Sequence, residues 1–328
     1  MKLKIYLLLI LFFLVSCKKE IIEPAKTENK FYDKAYDFLS TGEKDSAFIY
    51  FNLAQNTFSQ NKDSARIGNS MVNMAILQSE AGDYYGSQET SLGAIKYLNK
   101  KEEKLFPILY SNYNNLGITS RNLGDYKNAV LFYDNAIAFA TSQSEINTCL
   151  NNKAICYKFL ENYSASLQIF KDVFKNIDPV KDQKGYARIV DNLAFVKFLQ
   201  NKNYDAEMEM NAALKIREKA EDLWGQNASH SHLSDYFEDK STEKSLFHAH
   251  RMYEISKKIK SPDDQLEALQ KLVDLENPVH SKKYYKIYVN LEDSLTNVRN
   301  KAKNQFALIR YDSEKNRVDF LKAEAKNI

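Results

Sequence analysis

A small residue recurs along this chain at an almost constant interval, and this repeat restricts the possible folds more than any other feature. The recurring residues are Ala35, Ala75, Gly117, Ala154, Ala194 and Ser234, so successive copies lie 40, 42, 37, 40 and 40 residues apart. A period of this size is typical of arrays in which each unit packs only against its neighbours. A small side chain lets two helix backbones approach closely where they cross. The repeat therefore predicts a stack of helical hairpins.

The third copy shows which residue types accompany the small residue. It has Leu and a small residue, then a Gly-x-Tyr turn, then a spaced Ala, aromatic and Ala: Leu116, Gly117, Gly124, Asp125, Tyr126, Ala129, Tyr133 and Ala136. This pattern resembles the tetratricopeptide repeat (TPR). The resemblance implies an all-α fold, a TPR-like α-α superhelical solenoid of about six to seven helical hairpins over residues 31–290.

Similar copies precede and follow the third one, and the similarity fades after about residue 260. We predict a seventh hairpin over residues 264–290, interrupted at Pro278. The chain of 328 residues has only 9 Gly and 5 Pro, fewer than a sheet-rich protein needs for its turns. The composition therefore also favours helices.

Residues 1–17 have the features of a secretory leader. Lys2 and Lys4 precede an apolar run over residues 5–15, which is too short to span a bilayer as a helix. The run ends at residues 14–17, Leu-Val-Ser-Cys, which resembles a lipobox. The resemblance implies a lipoprotein signal peptide that is cut before Cys17, which becomes lipidated. The alternative is an ordinary signal peptide with an accidental cysteine.

The segment that follows the leader predicts where the protein is held. Residues 18–30 are charged and contain Pro24, as expected of a flexible tether. Lys18 stands where an acidic residue accompanies inner-membrane retention in enteric bacteria. We therefore expect a cell-envelope protein anchored to a membrane by lipid, with the periplasmic side of the outer membrane favoured.

Asparagine recurs in register on the first helix of four repeats, two residues before the small residue. These residues are Asn73, Asn115, Asn152 and Asn192. Repeats similar to those of kinesin light chain carry asparagine at the matching place, which implies contact with the backbone of an extended peptide. An amide side chain both donates and accepts hydrogen bonds, as a peptide group does. The alternative is that these asparagines bond to neighbouring helices or face water.

Further polar residues are predicted to line the same concave groove. They are Asn69, Asn114, Arg121, Asn151, Lys158 and Arg188. Amides mixed with positive charge suit a protein partner or an extended or acidic peptide.

Other functions have little support in the sequence. A net charge of +3 offers no basic field for nucleic acid. The five histidines fall between residues 230 and 280, and His232 and His250 are predicted to face each other across the sixth hairpin. Residues two apart on a helix point in different directions, so we expect packing and surface histidines and no metal site. No cofactor or catalytic motif is found, and we expect no enzyme activity. Cys149 and Cys156 are expected to be buried apolar residues.

Residues 291–328 predict a long amphipathic, charged C-terminal helix. The apolar positions Leu291, Leu295, Val298, Ala302 and Phe306 follow helical spacing. The segment resembles the end of the periplasmic TPR sensor region of bacterial histidine kinases and helix-turn-helix regulators. That resemblance implies a helix–helix partner, although no membrane helix or output domain follows in these 328 residues.

Three interpretations remain open from the sequence. The first is an envelope scaffold or sensory subunit that binds a protein or peptide. The second is a truncated or stand-alone sensor half of a signal-transduction system. The third, a glycan-uptake accessory lipoprotein, has less support because the aromatic residues mostly occupy packing positions of the repeat.

Overall fold

The computed structural model describes residues 29–326, which form seven antiparallel helical hairpins and no strand. The fourteen helices of this part of the chain are α1 Lys30–Thr41, α2 Lys44–Gln60, α3 Ser64–Glu80, α4 Tyr84–Ile95, α5 Phe106–Asn122, α6 Tyr126–Ala138, α7 Gln143–Phe159, α8 Tyr163–Asn176, α9 Gln183–Gln200, α10 Glu207–Lys219, α11 Leu223–Phe237, α12 Thr242–Lys258, α13 Pro262–Leu275 and α14 Pro278–Lys326. The predicted leader, Cys17 and residues 18–28 of the tether lie outside the described residues.

Six turns in the described part of the chain share one local design. A residue with positive φ follows one helix, and the side chain of the next residue caps the following helix. Gly82 and Gly124 have φ values of 82° and 77°, where a residue without Cβ is favoured. Asp83 and Asp125 then accept a backbone N–H of α4 and α6, respectively. The turn glycines that mark the repeat in the sequence therefore have a conformational cause.

The recurring small residue lies where the two helices of a hairpin touch. The Ser87 hydroxyl donates to the Ala75 carbonyl at 2.6 Å, and Ser166 donates to Ala154 at 2.8 Å. These bonds join helices whose side chains at the crossing are fully buried. The predicted hairpin core is confirmed at these positions.

The end of the array differs from the boundaries predicted from the sequence. The seventh hairpin begins at Pro262, and Pro278 is the first residue of its second helix. That helix, α14, runs without a break to Lys326, so residue 291 is not the start of a separate helix. The predicted boundary was wrong because no Gly or Pro occurs between Val279 and Lys326 to interrupt the helix.

Helix α14 returns to the first two hairpins. The Phe306 ring lies 4.4 Å from the Phe48 ring, centre to centre, and is 1% exposed. Arg310 pairs with Glu89 of α4 at 2.7 Å. The helix that was predicted to pair with a partner therefore covers part of its apolar side within its own chain, where Ala302 also packs.

Two smaller expectations can also be compared with the structure. Cys149 and Cys156 are free thiols with no exposed surface, as predicted. Burial raises the pKa of the Cys156 thiol to about 11, which keeps it in the unreactive thiol form. Within residues 29–326, no helix combines the length and the apolar character needed to cross a membrane.

Candidate binding groove

A cavity of about 1020 Å³ opens between α7, α9 and α11, the first helices of the fourth, fifth and sixth hairpins. Four of the predicted groove residues line it: Asn151, Lys158, Arg188 and Asn192. The prediction from the sequence therefore selects residues that the fold brings together on one concave surface. This volume is at the upper end of ordinary ligand pockets.

The lining of this cavity is mainly cationic. Its charged cations are Lys158, Lys181, Lys184, Arg188 and Arg217. The two acidic residues in the lining, Asp182 and Asp222, accept backbone N–H groups at the start of α9 and α11, at 2.8 and 3.0 Å. Five cations against these two carboxylates give the cavity lining an excess of positive charge.

A buried ion pair lies behind the cavity. Asp191 has no exposed surface and accepts a hydrogen bond from Arg217 Nη1 at 2.8 Å, and His232 Nδ1 lies 3.0 Å from the same oxygen. Burial alone raises the pKa of Asp191, but His232 and Arg217 outweigh it and the pKa is lowered. Arg217 also donates to the Ser229 hydroxyl at 2.6 Å. Sequence reasoning missed this cluster because its members are scattered over three helices.

Arg217 keeps one donor unused. It is 2% exposed, and within residues 29–326 its Nε has no hydrogen-bond partner. Its side chain passes close to α11 because position 225 is glycine, where an added Cβ would lie 2.8 Å from Nε. This Nε is enclosed by the protein, and Arg217 contributes to the cavity lining through the positive charge of its guanidinium.

Two aromatic rings lie near Lys158, one of the cations that line the cavity. The Lys158 ammonium lies 4.7 Å from the Phe159 ring centre and 5.3 Å from that of Phe195. Phe195 stacks on the His232 ring at 4.1 Å. Burial lowers the pKa of Lys158, so its charged form gains more from a nearby anion than an exposed lysine does.

Trp224 lies on the rim of the cavity and is 61% exposed. It is the only tryptophan of the chain. Exposed tryptophan is unusual on a monomer surface and is enriched at binding hot spots. The sequence offered one signal for this residue, a lone Trp at a helix start outside the repeat pattern, and the prediction of the groove did not use it.

The predicted asparagine series divides into two halves in the structure. On the cavity side, Asn192 Nδ2 donates to the side-chain Oδ1 of Asn151 at 3.0 Å, and Asn151 Nδ2 donates to Asn152 Oδ1 at 3.4 Å. These three amides form a connected chain across α7 and α9. Binding of a ligand through them stays a prediction.

In the other half, the amides bond to neighbouring helices. Asn115 is 5% exposed and donates to the hydroxyls of Ser87 and Ser91, and Asn73 donates to the hydroxyl of Tyr36. Asn69 likewise donates to a tyrosine hydroxyl of α1. The asparagines of α3 and α5 therefore fit the alternative interpretation, in which they bond to neighbouring helices.

Two remaining groove candidates lie on α5 away from the cavity. Asn114 accepts a weak hydrogen bond from the Cys149 thiol at 3.8 Å, and Arg121 is half-buried. Neither belongs to the lining of the cavity between α7, α9 and α11. Their position in a ligand-binding groove stays a prediction.

The histidines pair differently from the prediction. His230 and His248, not His232 and His250, face each other across the sixth hairpin, with their Nδ1 atoms 2.9 Å apart. His250 instead lies beside Glu276. The predicted pairing was wrong because the hairpin turn is centred two residues earlier than assumed, which leaves the 18-residue separation unchanged. No three metal-ligating side chains come together in the described part of the chain.

A second cavity of about 350 Å³ lies between α11, α13 and the start of α14. Its lining is mainly acidic, with Asp235, Glu238, Glu267 and Asp274 against one lysine, Lys271. The Lys271 ammonium pairs with Asp235, and Glu267 accepts a hydrogen bond from the hydroxyl of a serine on α11. The charge of the inner surface therefore changes from positive near α9 to negative near α13.

Comparisons with known proteins support the architecture. A scan against protein-family models gives no match, and a search of curated proteins gives none. Among solved structures, the apo form of RapI matches with a TM-score of 0.66 at 14% identity, over 81% of this chain and 98% of that one. The fold is a TPR-like helical solenoid.

Two solved complexes share the solenoid. A Rap protein complexed with competence and sporulation factor matches with a TM-score of 0.59 at 12% identity, over 82% of this chain and 75% of that one. The Rap conjugation gene regulator of plasmid pLS20, in complex with the Phr* peptide, matches with a TM-score of 0.56 at 12% identity, over 88% of this chain and 81% of that one. At these identities the likeness concerns the fold alone.

Proposed function

We propose that this chain is a lipid-anchored envelope protein whose solenoid captures an extended peptide, or an extended segment of a partner protein, in the groove between α7, α9 and α11. The observation that carries the proposal is the 1020 Å³ cavity, which collects amides, cations and the exposed Trp224 on one concave surface. Such a mixture of an aromatic anchor and hydrogen-bonding groups is typical of peptide-binding surfaces.

The chemistry of the cavity lining suits a peptide backbone. Asn151 on α7 and Asn192 on α9 are neighbours across two consecutive hairpins. Each amide can both donate and accept hydrogen bonds, as a peptide group requires. A solved structure of the same fold, the Rap conjugation gene regulator, is in complex with the Phr* peptide, which supports peptide capture here as well.

The anchor belongs to the same proposal. The leader, with its Leu-Val-Ser-Cys ending at Cys17, supports lipidation, and the charged segment after it supports a tether to the envelope. A single acyl chain binds a membrane only weakly, whereas several chains on one cysteine hold it stably. We place the solenoid on the periplasmic side of the outer membrane.

Capture can be tested by site-specific photo-crosslinking in intact cells. Gln183 lines the cavity and is exposed, so a photoreactive residue at this position should trap the bound segment. Lys215 on α10 is also exposed but lies outside the cavity, and it provides the matched control position. We expect a discrete adduct from position 183 and none from position 215. Equal adducts at both positions, or none at either, would contradict the proposal.

The anchor is tested separately with Cys17→Ser. We expect the wild-type chain to incorporate labelled palmitate and to fractionate with membranes, and the variant to lose both properties. Membrane fractionation of the variant at the wild-type level would contradict lipid anchoring, while leaving peptide capture unaffected.

A second candidate function is a stand-alone sensor half that regulates a signalling partner. The likeness to a conjugation gene regulator of the same fold favours it. In this interpretation the partner binds to α14, where the side chain of Val298 is 60% exposed. If so, Val298→Asp should abolish co-purification of the partner without changing adduct formation at position 183.

A further inference from the structure

We propose that the groove selects an extended segment whose carboxylates are confined to one end, with uncharged or basic residues at the other. The acidic end lies in the cationic cavity between α7, α9 and α11, and the other end crosses α11 toward α13. This inference rests on the proposed capture of a peptide and adds the charge pattern of the ligand.

A buried arginine lies at the cavity wall. Arg217 lines the cavity and is held in place by Asp191 and Ser229. A guanidinium fixed in this way loses little side-chain freedom when it binds, and carboxylate is the group that its geometry fits best. Arg188 and Lys158 line the same cavity and add positive charge around this guanidinium.

Lys158 is desolvated in the same cavity. Its ammonium lies between the rings of Phe159 and Phe195, and burial lowers its pKa. A ligand carboxylate near this group would restore the electrostatic stabilisation that water no longer supplies. Asp235, Glu267 and Asp191 already oppose the effect of burial on this pKa, and a ligand carboxylate would add to their effect.

The charge of the inner surface changes from positive in the first cavity to negative in the second. Beyond α11, the cavity that includes Glu238 and Asp274 is acidic, and both residues are exposed there. The two cavities are neighbours, because Asp235 and Glu267 of the acidic one act electrostatically on Lys158 of the cationic one. A segment that is acidic along its whole length would be repelled at α13, whereas one with separated charges would not.

Synthetic peptides of about eight residues can test the charge pattern, because an extended chain spans roughly 3.3 Å per residue and packed helices lie about 8–10 Å apart. Three peptides share a tyrosine-free, tryptophan-free frame: one has its aspartates at one end and lysines at the other, one has the same residues alternating, and one is neutral. The segregated peptide is made in both chain directions. Fluorescence of Trp224 reports binding without a label, since the chain has no other tryptophan.

Charge-reversal variants locate the two ends. Lys184→Glu with Arg188→Glu reverses the cationic cavity, Glu238→Lys with Asp274→Lys reverses the acidic one, and Lys215→Glu on the outer surface is the control. We expect the segregated peptide, in one direction, to bind about tenfold more tightly than the alternating one, since a few exposed pairs together contribute about 1.4 kcal/mol.

Each reversal has a distinct expected result. The cationic-cavity variant should lose the preference for the segregated peptide. A fourth peptide on the same frame carries only aspartates. The acidic-cavity variant should bind it about tenfold more tightly than the wild type does. Lys215→Glu should change neither.

The outcomes separate this inference from the proposed function. If the neutral and alternating peptides bind as tightly as the segregated one, the charge pattern is wrong and peptide capture stands. If none of the peptides changes the Trp224 signal while position 183 still forms an adduct in cells, the charge pattern is again wrong. If neither binding nor an adduct is seen, both proposals fail together.

Discussion

Gly117 shows how closely the two helices of one hairpin approach. Four of the other repeats have alanine at this place, but here the Tyr133 ring of the second helix fills the space that a side chain would need. An added Cβ would lie 2.5 Å from Cε1 of that ring, and Tyr133 is fully buried. The glycine is therefore the partner of a particular tyrosine and not an arbitrary small residue.

We expect Gly117→Ala to lower the free energy of unfolding by about 1–3 kcal/mol, because a buried aromatic ring cannot move without displacing its neighbours. Thermal denaturation followed by circular dichroism measures the effect. Gly93→Ala is the matched control, because an added Cβ there meets only the end of the flexible Met71 side chain at 2.8 Å. It should leave stability unchanged or raise it, since alanine favours helix. A similar loss for both variants would refute the steric argument.

The two halves of the asparagine series predict opposite results. Asn115→Ala leaves the buried hydroxyls of Ser87 and Ser91 without their donor, and we expect a loss of about 1–3 kcal/mol in stability and no change in peptide binding. Asn192→Ala removes a half-buried amide at the cavity, and we expect weaker binding with little change in stability. Denaturation and the Trp224 titration measure the two effects. Weaker binding by a stably folded Asn115→Ala would assign that asparagine to the groove after all.

At the scale of the element, the sixth hairpin contains a pair of buried imidazoles between α11 and α12. His230 and His248 are 3% and 7% exposed, and the His248 ring also stacks on Phe237. Burial lowers the pKa of His230 to about 3 and that of His248 to about 4, with repulsion from His248 and Arg251 adding to the effect at His230. Both rings are therefore neutral in the folded protein near neutral pH.

This pair predicts a loss of stability in mild acid. The unfolded chain binds protons near pH 6.5 whereas the folded one does so only near pH 3–4, so stability is complete above pH 6.5 and falls as the pH decreases through that window. We expect the free energy of unfolding to fall by roughly 4 kcal/mol between pH 7.5 and pH 5, about 2 kcal/mol for each histidine. Chemical denaturation at the two pH values measures it.

The control compares buried and exposed histidines. The double variant His230→Leu/His248→Phe should lose most of this pH dependence, and His280→Gln should retain it, because His280 lies on the surface. If the double variant keeps the full dependence, other groups cause it.

At the scale of the whole molecule, α14 joins the seventh hairpin to the first two. Arg299 pairs with Asp263 at the start of α13 at 2.6 Å, and its guanidinium lies 5.9 Å from the Tyr84 ring centre at the start of α4. One turn or two further along, Phe306 enters the core of the first hairpin beside Phe48. The last helix is thus part of the hydrophobic core at the opposite end of the chain.

We expect Phe306→Ala to release α14 from the first hairpin, because removing a buried aromatic ring costs about 3–5 kcal/mol at a well-packed site. Hydrogen exchange should then accelerate over residues 299–312 and over α2, and small-angle scattering should show a larger molecule. Leu308→Ala, on the same helix but 60% exposed, is the control and should change neither. Unchanged exchange in Phe306→Ala would show that other contacts hold the helix.

Local periodicity explains what could be predicted from the sequence. The helices, the hairpin crossings and the turn glycines at Gly82 and Gly124 follow from residue types a few positions apart, and they were predicted correctly. Contacts between distant residues, such as Phe306 with Phe48 or Arg217 with Asp191, leave no periodic signal in one sequence. For the same reason the sequence indicated polar and cationic groove residues, but not which of them meet in one cavity.

The return of α14 has a consequence for how the chain unfolds. In an open array, the end units have one neighbour each, so they fray first and the array can unzip from its termini. Here α14 is a second neighbour of the N-terminal hairpin, because Phe306 packs in its core. Arg310 of the same helix pairs with the second hairpin. The last hairpin therefore contacts the first two, and neither terminal hairpin has only one neighbour. We expect a single cooperative melting transition instead of stepwise unfolding from the ends.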